Sequence, residues 1–259
     1  MMKTNPERWI VLPDMQVPFE DKLTMKAVEA YMADHRWDGY INLGDFLDFR
    51  ELSSFEKENL REDKVGAVAR TYRSGNAILD RHVKLVRNKN KNAVMVLIEG
   101  NHEYRVERYL DEHPEAQGLI EVEVGLRLKE RNIQWIRQWS KGRLFKKGKA
   151  YFSHGKYTNK YHAAKMGEVY GVCIYYGHTH DVMEFPRVQM GKDLTLVGKS
   201  LGCLCRYDQK YIKGSPTNWQ QAIAVFTFFP DGFYTEHTTR IFRHRFVSPE
   251  GKTYDGRAL

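Results

Sequence analysis

The chain has 259 residues, with Lys and Arg numbering 41 against 33 Asp and Glu for a formal net charge of +8, 42% hydrophobic residues and 29% charged ones. This is a globular composition, and it excludes a disordered, collagen-like or coiled-coil chain. At ~150 residues per domain the length allows one or two domains, and a single α/β domain of this size buries a large core.

Arg8-Trp-Ile-Val-Leu-Pro-Asp14 predicts a short buried strand ending in a loop. Val28, Tyr31 and Met32 recur at helical spacing, which predicts a helix over about Leu23 to His35. Gly39 to Gly44 is a second strand closed by glycine. Val65, Val68, Tyr72, Leu79, Val83 and Val86 mark one face of a long helix that ends at the polar run Asn88 to Asn92. The unbroken apolar run Ala93 to Ile98 suits a strand covered on both faces. This alternation argues for parallel strands with helical crossovers. Glu103 to about Arg131 predicts helix, interrupted near Pro114. Further on, strands are predicted at Arg143 to Phe145, Ala150 to Ser153, Val172 to Tyr176, Val182 to Val188 and Leu194 to Val197, with a helix over Lys160 to Val169. Ala222 to Phe229 and Phe233 to Phe242 flank Pro230-Asp-Gly232, a hairpin signal. No Gly/Ser/Pro-rich linker divides the chain, so one domain of two packed sheets over 1–259 is the economical reading, with the hairpin at about 220–245 completing the second sheet.

No run reaches the ~18 uncharged apolar residues of a membrane span. Met1 to Trp9 lacks the apolar stretch of a secretion signal. Three cysteines, Cys173, Cys203 and Cys205, make no disulfide framework. The expectation is a reduced cytoplasmic protein with no membrane and no obligate protein partner. The positive balance allows a polyanionic partner without demanding one.

The chemistry-bearing residues stand at predicted strand ends: Asp14-Met-Gln16, Gly44-Asp-Phe-Leu-Asp48, Gly100-Asn-His-Glu103, Ser153-His-Gly155 and Gly177-His-Thr-His180. Ligands of open α/β sheets bind beyond the carboxyl ends of the strands, so these clusters are expected to converge. Asp, Asn, Gln and His form an oxygen and imidazole set suited to Mn²⁺, Fe²⁺, Zn²⁺ or Mg²⁺. A lone Gly-Asn-His is usually a turn, and a lone Asp14 is usually a cap. The ordered set of clusters is much harder to explain as turns.

That ordered set resembles the calcineurin-like metallophosphoesterase superfamily, whose pattern is Asp-x-His, Gly-Asp-x-x-Asp, Gly-Asn-His-Asp/Glu, a His, then Gly-His-x-His. The likeness spans about Ile10 to His180, and the wording of the loops after Gln16 and around Asp45 is similar to that of small members often encoded by bacteriophages. The resemblance implies a four-layer α-β-β-α sandwich and two divalent cations, Mn²⁺ foremost. In it Asp45 bridges both ions, Asp14, Gln16 and His180 complete the first site, and Asn101, His154 and His178 hold the second. It implies that His102 acts as general acid or phosphoryl-binding group, with Asp48 orienting it. The implied reaction is hydrolysis of a phosphate ester by metal-activated water, leaning towards a phosphodiester of DNA or RNA. A phosphomonoesterase and a non-catalytic scaffold are the alternatives.

One position departs from the pattern. Gln16 stands where the family has His, and a neutral amide oxygen holds a cation more weakly, so Mn²⁺ or Mg²⁺ is expected over Zn²⁺. Arg105 could bind a phosphate oxygen, though an exposed helical Arg is as natural a reading. Lys156, Lys160 and His162 could line a groove, though charged helix starts are usually just solvated. The basic runs at Arg81 to Lys91, Lys141 to Lys149 and Arg240 to Arg245 could follow a nucleic-acid backbone, but solvated helix ends and turns are the better reading of each. Cys203 and Cys205, without a second cysteine pair, read as buried strand residues rather than a thiolate site. No spacing of aromatic residues marks a stacking platform.

Overall fold

The computed structural model describes residues 5–53, 64–188, 191, 195–209, 212, 214 and 216–259. The polar start Met1 to Thr4, the side chain of Val65 and the predicted strand start at Leu194 lie outside the described residues.

Strand β1 (Glu7–Leu12) shows how the layers arise. Successive side chains of a strand point to opposite faces. Ile10 and Leu12 therefore enter one core, and Trp9 and Val11 enter another. The first core is closed by α1 (Lys22–Asp34) and α2 (Lys64–Asn88), through Val28, Tyr31, Met32, Leu79 and Val86. Asp21 caps α1 by accepting a hydrogen bond from the Thr24 N–H at 3.0 Å, which satisfies a backbone donor the first turn leaves unpaired. Strands β2 (Gly39–Asn42), β3 (Val94–Ile98) and β4 (Ile133–Ile136) follow β1 in parallel.

The second sheet contains β5 (Phe145–Lys147), β6 (Ala150–Phe152), β7 (Cys173–Tyr176), β8 (Glu184–Arg187) and β9 (Leu196–Ser200), in the order β5-β6-β7-β9-β8. Strands β6, β7 and β9 run parallel. The outer face of this sheet is covered by α6 (His162–Tyr170), whose Met166 packs on Ile174 and Tyr176. Between the sheets lie Trp9, Val11, Ile41, Val96, Phe152 and Tyr175. Helices, sheet, sheet and helix thus form the four layers expected.

The hairpin is where the structure differs from expectation. Strands β10 (Ala222–Phe228) and β11 (Tyr234–Arg240) do not complete the second sheet; they extend the first, in the order β11-β10-β1-β2-β3-β4. The reason is that β10 is apolar on both faces. Ile223 and Val225 join the helical core, while Ala224, Phe226 and Phe228 join the inter-sheet core. Such a strand belongs inside a covered sheet, and the open edge of β1 accepts it antiparallel with Ile10 opposite Val225.

The predicted helix from Glu103 to Arg131 is also shorter. It comprises α3 (Tyr104–Glu112), a 3-10 turn at Pro114–Ala116 and the four-residue α4 (Val122–Gly125). Pro114 cannot continue α3, and Arg127 and Asn132 adopt left-handed backbone (φ 46° and 50°), which ends helix locally. Strand β4 is not anticipated from the sequence; it is four residues long, and the alternation Asn132-Ile-Gln-Trp135 covers too few residues to mark a strand. A four-residue helix, α5 (Gln138–Lys141), follows it. Near the end of the chain a small pair, β12 (Arg245–Val247) and β13 (Thr253–Asp255), folds over α1, with Phe246 and Tyr254 against Tyr31. All three cysteines are free and buried. Among the described residues no helix is long and apolar enough to cross a membrane.

Phe226 sits in the middle of the inter-sheet core, edge-on to Phe152 at 5.1 Å and Tyr175 at 4.7 Å. Phe226→Ala is expected to lower stability by about 3–5 kcal/mol through lost burial and a residual cavity. The urea midpoint, read with an unchanged denaturant slope, checks this.

Candidate metal centre

Five parallel strands deliver the motif residues to one rim. The chain leaving β1 carries Asp14 and Gln16, that leaving β2 carries Asp45 and Asp48, and that leaving β3 carries Asn101, His102 and Glu103. From the second sheet, β6 leads to His154 and β7 to His178 and His180. The packing of the sheets brings both sets into contact. Asp14, Asp45 and His180 place a ligand atom each within 4.8 Å of one another, and so do Asp45, His154 and His178. Asp45 belongs to both groups.

Individual contacts define the geometry. Asp45 Oδ2 lies 3.3 Å from His154 Nε2 and 3.6 Å from His102 Nε2, while its Oδ1 accepts from the His102 backbone N–H at 2.9 Å. His154 Nε2 is 2.9 Å from Asn101 Oδ1, and its Nδ1 is 3.0 Å from the Leu43 carbonyl. That carbonyl can only accept, so Nδ1 carries a proton and Nε2 is aimed at the centre. Asp14 Oδ2 lies 3.0 Å from His180 Nε2 and accepts from the His178 N–H at 2.8 Å. Gln16 approaches His180 Nε2 at 3.3 Å.

The backbone is bent to allow this. Gln16, Asp45, His178 and His180 all occupy left-handed backbone, with φ of 49°, 46°, 69° and 60°. Side-chain-bearing residues avoid that region, and such outliers concentrate where function requires them. Hydrogen bonds between the loops hold the bends, among them Gln16 N–H to the Asp45 carbonyl (2.8 Å), Leu204 N–H to the Asp14 carbonyl (2.8 Å) and Gln220 N–H to the His180 carbonyl (2.7 Å). Two glycines are required by close approach. A Cβ on Gly177 would stand 1.9 Å from Asp14 Oδ1, and one on Gly100 would stand 2.1 Å from Asp45 Oδ1.

Buried charge dominates the electrostatics. Burial alone would raise the Asp45 carboxyl, but the charges of His102 and His154 hold it well below the usual carboxylate range. Burial opposes protonation of His154 too, yet Asp45 and Asp14 push its pKa up to about 9. Against the same burial effect, Cys205 and Asp14 raise His180 to about 10. Burial and the neighbouring His154 charge lower His178 to about 4.

The donor set fits divalent cations. Asp14 Oδ1 and Gln16 Oε1 are buried and have no hydrogen-bond partner. An orphaned buried oxygen acceptor is costly, and a cation would satisfy it. Carboxylate, amide and imidazole donors are those of Mn²⁺, Mg²⁺, Fe²⁺ and Zn²⁺ sites.

The remaining predicted residues fall into place unevenly. Asp48 Oδ1 is 2.8 Å from His102 Nδ1, and the Asp48 carbonyl is 2.9 Å from the same nitrogen. Arg105 turns inward: Nη1 donates to the Asp48 carbonyl at 2.8 Å, and Nη2 lies 3.1 Å from His102 Nε2. It braces the His102 loop, which the exposed-helix reading did not anticipate. His162 lines no groove. It is buried between the Tyr176 hydroxyl (2.6 Å) and Asp181 (3.1 Å). Within the basic run at 81–91, Arg81 pairs with Glu29, Arg87 donates to the Arg131 and Asn132 carbonyls, and Lys89 donates to the Asp34 carbonyl, so these cations serve the fold.

Sequence reasoning missed three features. Glu103 accepts the backbone N–H groups of Asp45, Leu47 and Gly100, each at 2.9 Å, and so ties the loops after β2 and β3 together. Burial and the Asp45 charge push its pKa up to about 7 against those donors. Its place next to His102 in the third motif was the available signal. Trp139 lies 5.2 Å from the His178 ring, and Trp219 lies 4.2 Å from the His180 ring, with nothing in their spacing to mark them.

Fold and site together define a two-sheet α/β sandwich with a buried cluster of carboxylate, amide and imidazole donors on one rim. No protein-family profile matches the chain. The Gene 54 protein of Mycobacterium phage L5 is 26% identical over 235 residues, covering 85% of this chain and 89% of that protein. The Gene 54 protein of Mycobacterium phage D29 is 24% identical over 243 residues, with coverage of 85% and 89%. Both relatives are phage proteins, in keeping with the phage-like wording of the loops. Among solved structures, Vps29 from Cryptosporidium parvum gives a TM-score of 0.45 at 12% identity, over 96% of this chain and 95% of that one. Wild-type Vps29 from Entamoeba histolytica complexed with Zn²⁺ gives 0.42 at 12%, over 95% of each. The Pseudomonas putida nuclease MPE gives 0.34 at 16%, over 88% and 87%. No activity follows from these likenesses.

Glu103→Gln keeps the size of the side chain but replaces one accepting oxygen by a donor, leaving a buried N–H unpaired. It is expected to destabilise the fold by about 1–3 kcal/mol. Chemical denaturation of the two proteins side by side measures the difference.

Proposed function

We propose that this chain is a metal-dependent phosphoesterase acting on a phosphodiester, with nucleic acid as the leading substrate class. The observation that carries the reading is the convergence of Asp14, Asp45, His154, His178 and His180 from four strand ends into two ligand groups sharing Asp45. Asp14, Gln16, Asp45 and His180 would hold one cation. Asp45, Asn101, His154 and His178 would hold the second. When bound, such cations neutralise phosphate charge and make water more acidic.

The chain's own residues supply the rest. Asp48 accepts at His102 Nδ1, which fixes the imidazole and leaves Nε2 facing Asp45. A proton on Nε2 is the one that a departing alkoxide could take. Arg105 competes for that position, because its N–H can only donate to an Nε2 lone pair. His102 therefore gives its proton only when Arg105 turns from Nε2 towards another acceptor, and a phosphate oxygen is such an acceptor. The nucleic-acid preference rests on the net charge of +8 and on Trp139 and Trp219, which flank the centre as surfaces on which bases could stack. The hard, oxygen-rich donor set favours Mn²⁺ or Mg²⁺.

Hydrolysis of a chromogenic phosphodiester with Mn²⁺, before and after chelation, tests the reading. Metal-dependent turnover is expected, and its absence for both diester and monoester reporters would overturn the proposal. His102→Ala should lower turnover by roughly 10²–10⁴-fold with metal content intact. Loss of metal in that variant would show that His102 is a ligand.

Cation binding should also follow pH. His154 and His180, raised to about 9 and about 10, carry protons at neutral pH in the metal-free chain, and a cation must displace them. Affinity should therefore rise from pH 6 towards pH 9, with protons released on binding. Calorimetry in buffers of different ionisation enthalpy reads that release, and buffer-independent enthalpies would contradict it.

A further inference from the structure

Next to the oxygen-rich centre a second, softer set of donors converges. Strand β9 runs parallel to β7, and the chain leaving it brings Cys203 and Cys205 to the same rim. Isolated bridges hold both residues, Cys203 to Gln221 and Cys205 to Glu20. The two sulfurs and a ring nitrogen of His180 lie within 4.8 Å of one another, and all three side chains are buried. Cys205 Sγ stands 3.9 Å from His180 Nδ1, the nitrogen opposite the one that faces Asp14 and Gln16. A Cys-x-Cys pair falls short of a metal site, but the fold adds His180 from β7 as a third ligand.

We propose that Cys203, Cys205 and the Nδ1 side of His180 form a separate site for a soft divalent cation such as Zn²⁺. Two thiolates and an imidazole are donors that Zn²⁺ favours, whereas Mg²⁺ and Mn²⁺ favour oxygen. The spacing suits it. Sulfur at about 2.3 Å and nitrogen at about 2.0 Å from a tetrahedral ion stand roughly 3.5 Å apart, and the observed 3.9 Å needs only a small closure. The charges balance as well. Each thiol loses one proton and His180 loses the proton on Nδ1 as the cation enters, so two thiolates offset its two positive charges beside a neutral imidazole, and the dry interior holds a neutral cluster.

His180 links this site to the centre beside it. With a cation on Nδ1, Nε2 keeps its proton and donates it to Asp14 Oδ2, 3.0 Å away, the arrangement in which a carboxylate orients a metal-bound histidine. A cation on Nε2 requires that proton to leave. The imidazole thus serves the two centres in alternation. This alternation rests on the reading of the oxygen-rich centre; the thiolate site itself does not.

Titration of the full chain with Co²⁺ under reducing conditions tests the site. Thiolate-to-cobalt charge-transfer absorption in the near ultraviolet is expected, saturating with a single cation per chain. Cys203→Ser and Cys205→Ser should each abolish the band and weaken Co²⁺ at this site by at least about 100-fold, more than the loss of an outer-shell partner. Asp45→Asn should retain the band. Wild-type protein without the band at saturating Co²⁺ overturns the proposal, and that measurement needs no variant to fold. A band that survives both cysteine substitutions overturns it too, because Cys173 would then be the source. Loss of the band in folded Asp45→Asn would show that the two centres are not separate. Phosphodiester hydrolysis with Mn²⁺ by a chain that gives no band with Co²⁺ would sink the thiolate site alone, and the band with Co²⁺ together with no hydrolysis under Mn²⁺ in a separate, cobalt-free sample would sink the phosphoesterase reading alone.

Discussion

The face-to-face packing of two sheets, with their parallel strands opening on the same rim, is the constraint on which the rest of the molecule depends. Trp9, Phe152, Tyr175 and Phe226 fill the space between the sheets and set their separation. Because β1, β2 and β3 of one sheet and β6, β7 and β9 of the other end at that rim, loops distant in sequence become neighbours. His154 is 109 positions beyond Asp45, yet their side chains are 3.3 Å apart. No local interaction could bring them together; the inter-sheet core does.

Once the loops converge, buried charge governs their detail. Asp14 and Asp45 are almost wholly removed from water, and an uncompensated carboxylate there would be strongly unfavourable. The imidazoles of His154 and His180 compensate part of this charge, and Glu103 neutralises none of it while binding three backbone N–H groups. Left-handed backbone at Gln16, Asp45, His178 and His180 is tolerated because inter-loop hydrogen bonds over-determine it. The same crowding requires Gly100 and Gly177, where any side chain would strike a carboxylate.

Legibility in the sequence followed the range of the interactions. The helices α1 and α2 and the strands β1, β2, β3, β6 and β7 were readable because their periodicity and their glycine or polar terminators are local. The strand-end positions of the Asp, Asn and His residues were readable for the same reason. The hairpin was readable as a hairpin, but its sheet was not, since pairing with β1 joins residues more than 200 positions apart. Strand β4 escaped because its four residues are too few for a period-2 pattern to stand out. The basic run at 81–91 reads as a solvated helix end, whereas Arg81, Arg87 and Lys89 are bound by carboxylate or carbonyl groups of their own chain.

By itself the sequence determined the types of the longer elements, the five donor-bearing loops and the departure at Gln16, because these depend on residue identity and near-neighbour spacing. Tertiary structure decided which donors meet. It placed Arg105 against His102, set Trp139 and Trp219 beside the histidines, and brought a ring nitrogen of His180 next to the Cys203–Cys205 pair. Those juxtapositions depend on how two sheets pack and in what order their strands lie. That order is chosen by burial of apolar faces over the whole chain, and no short window of sequence contains it.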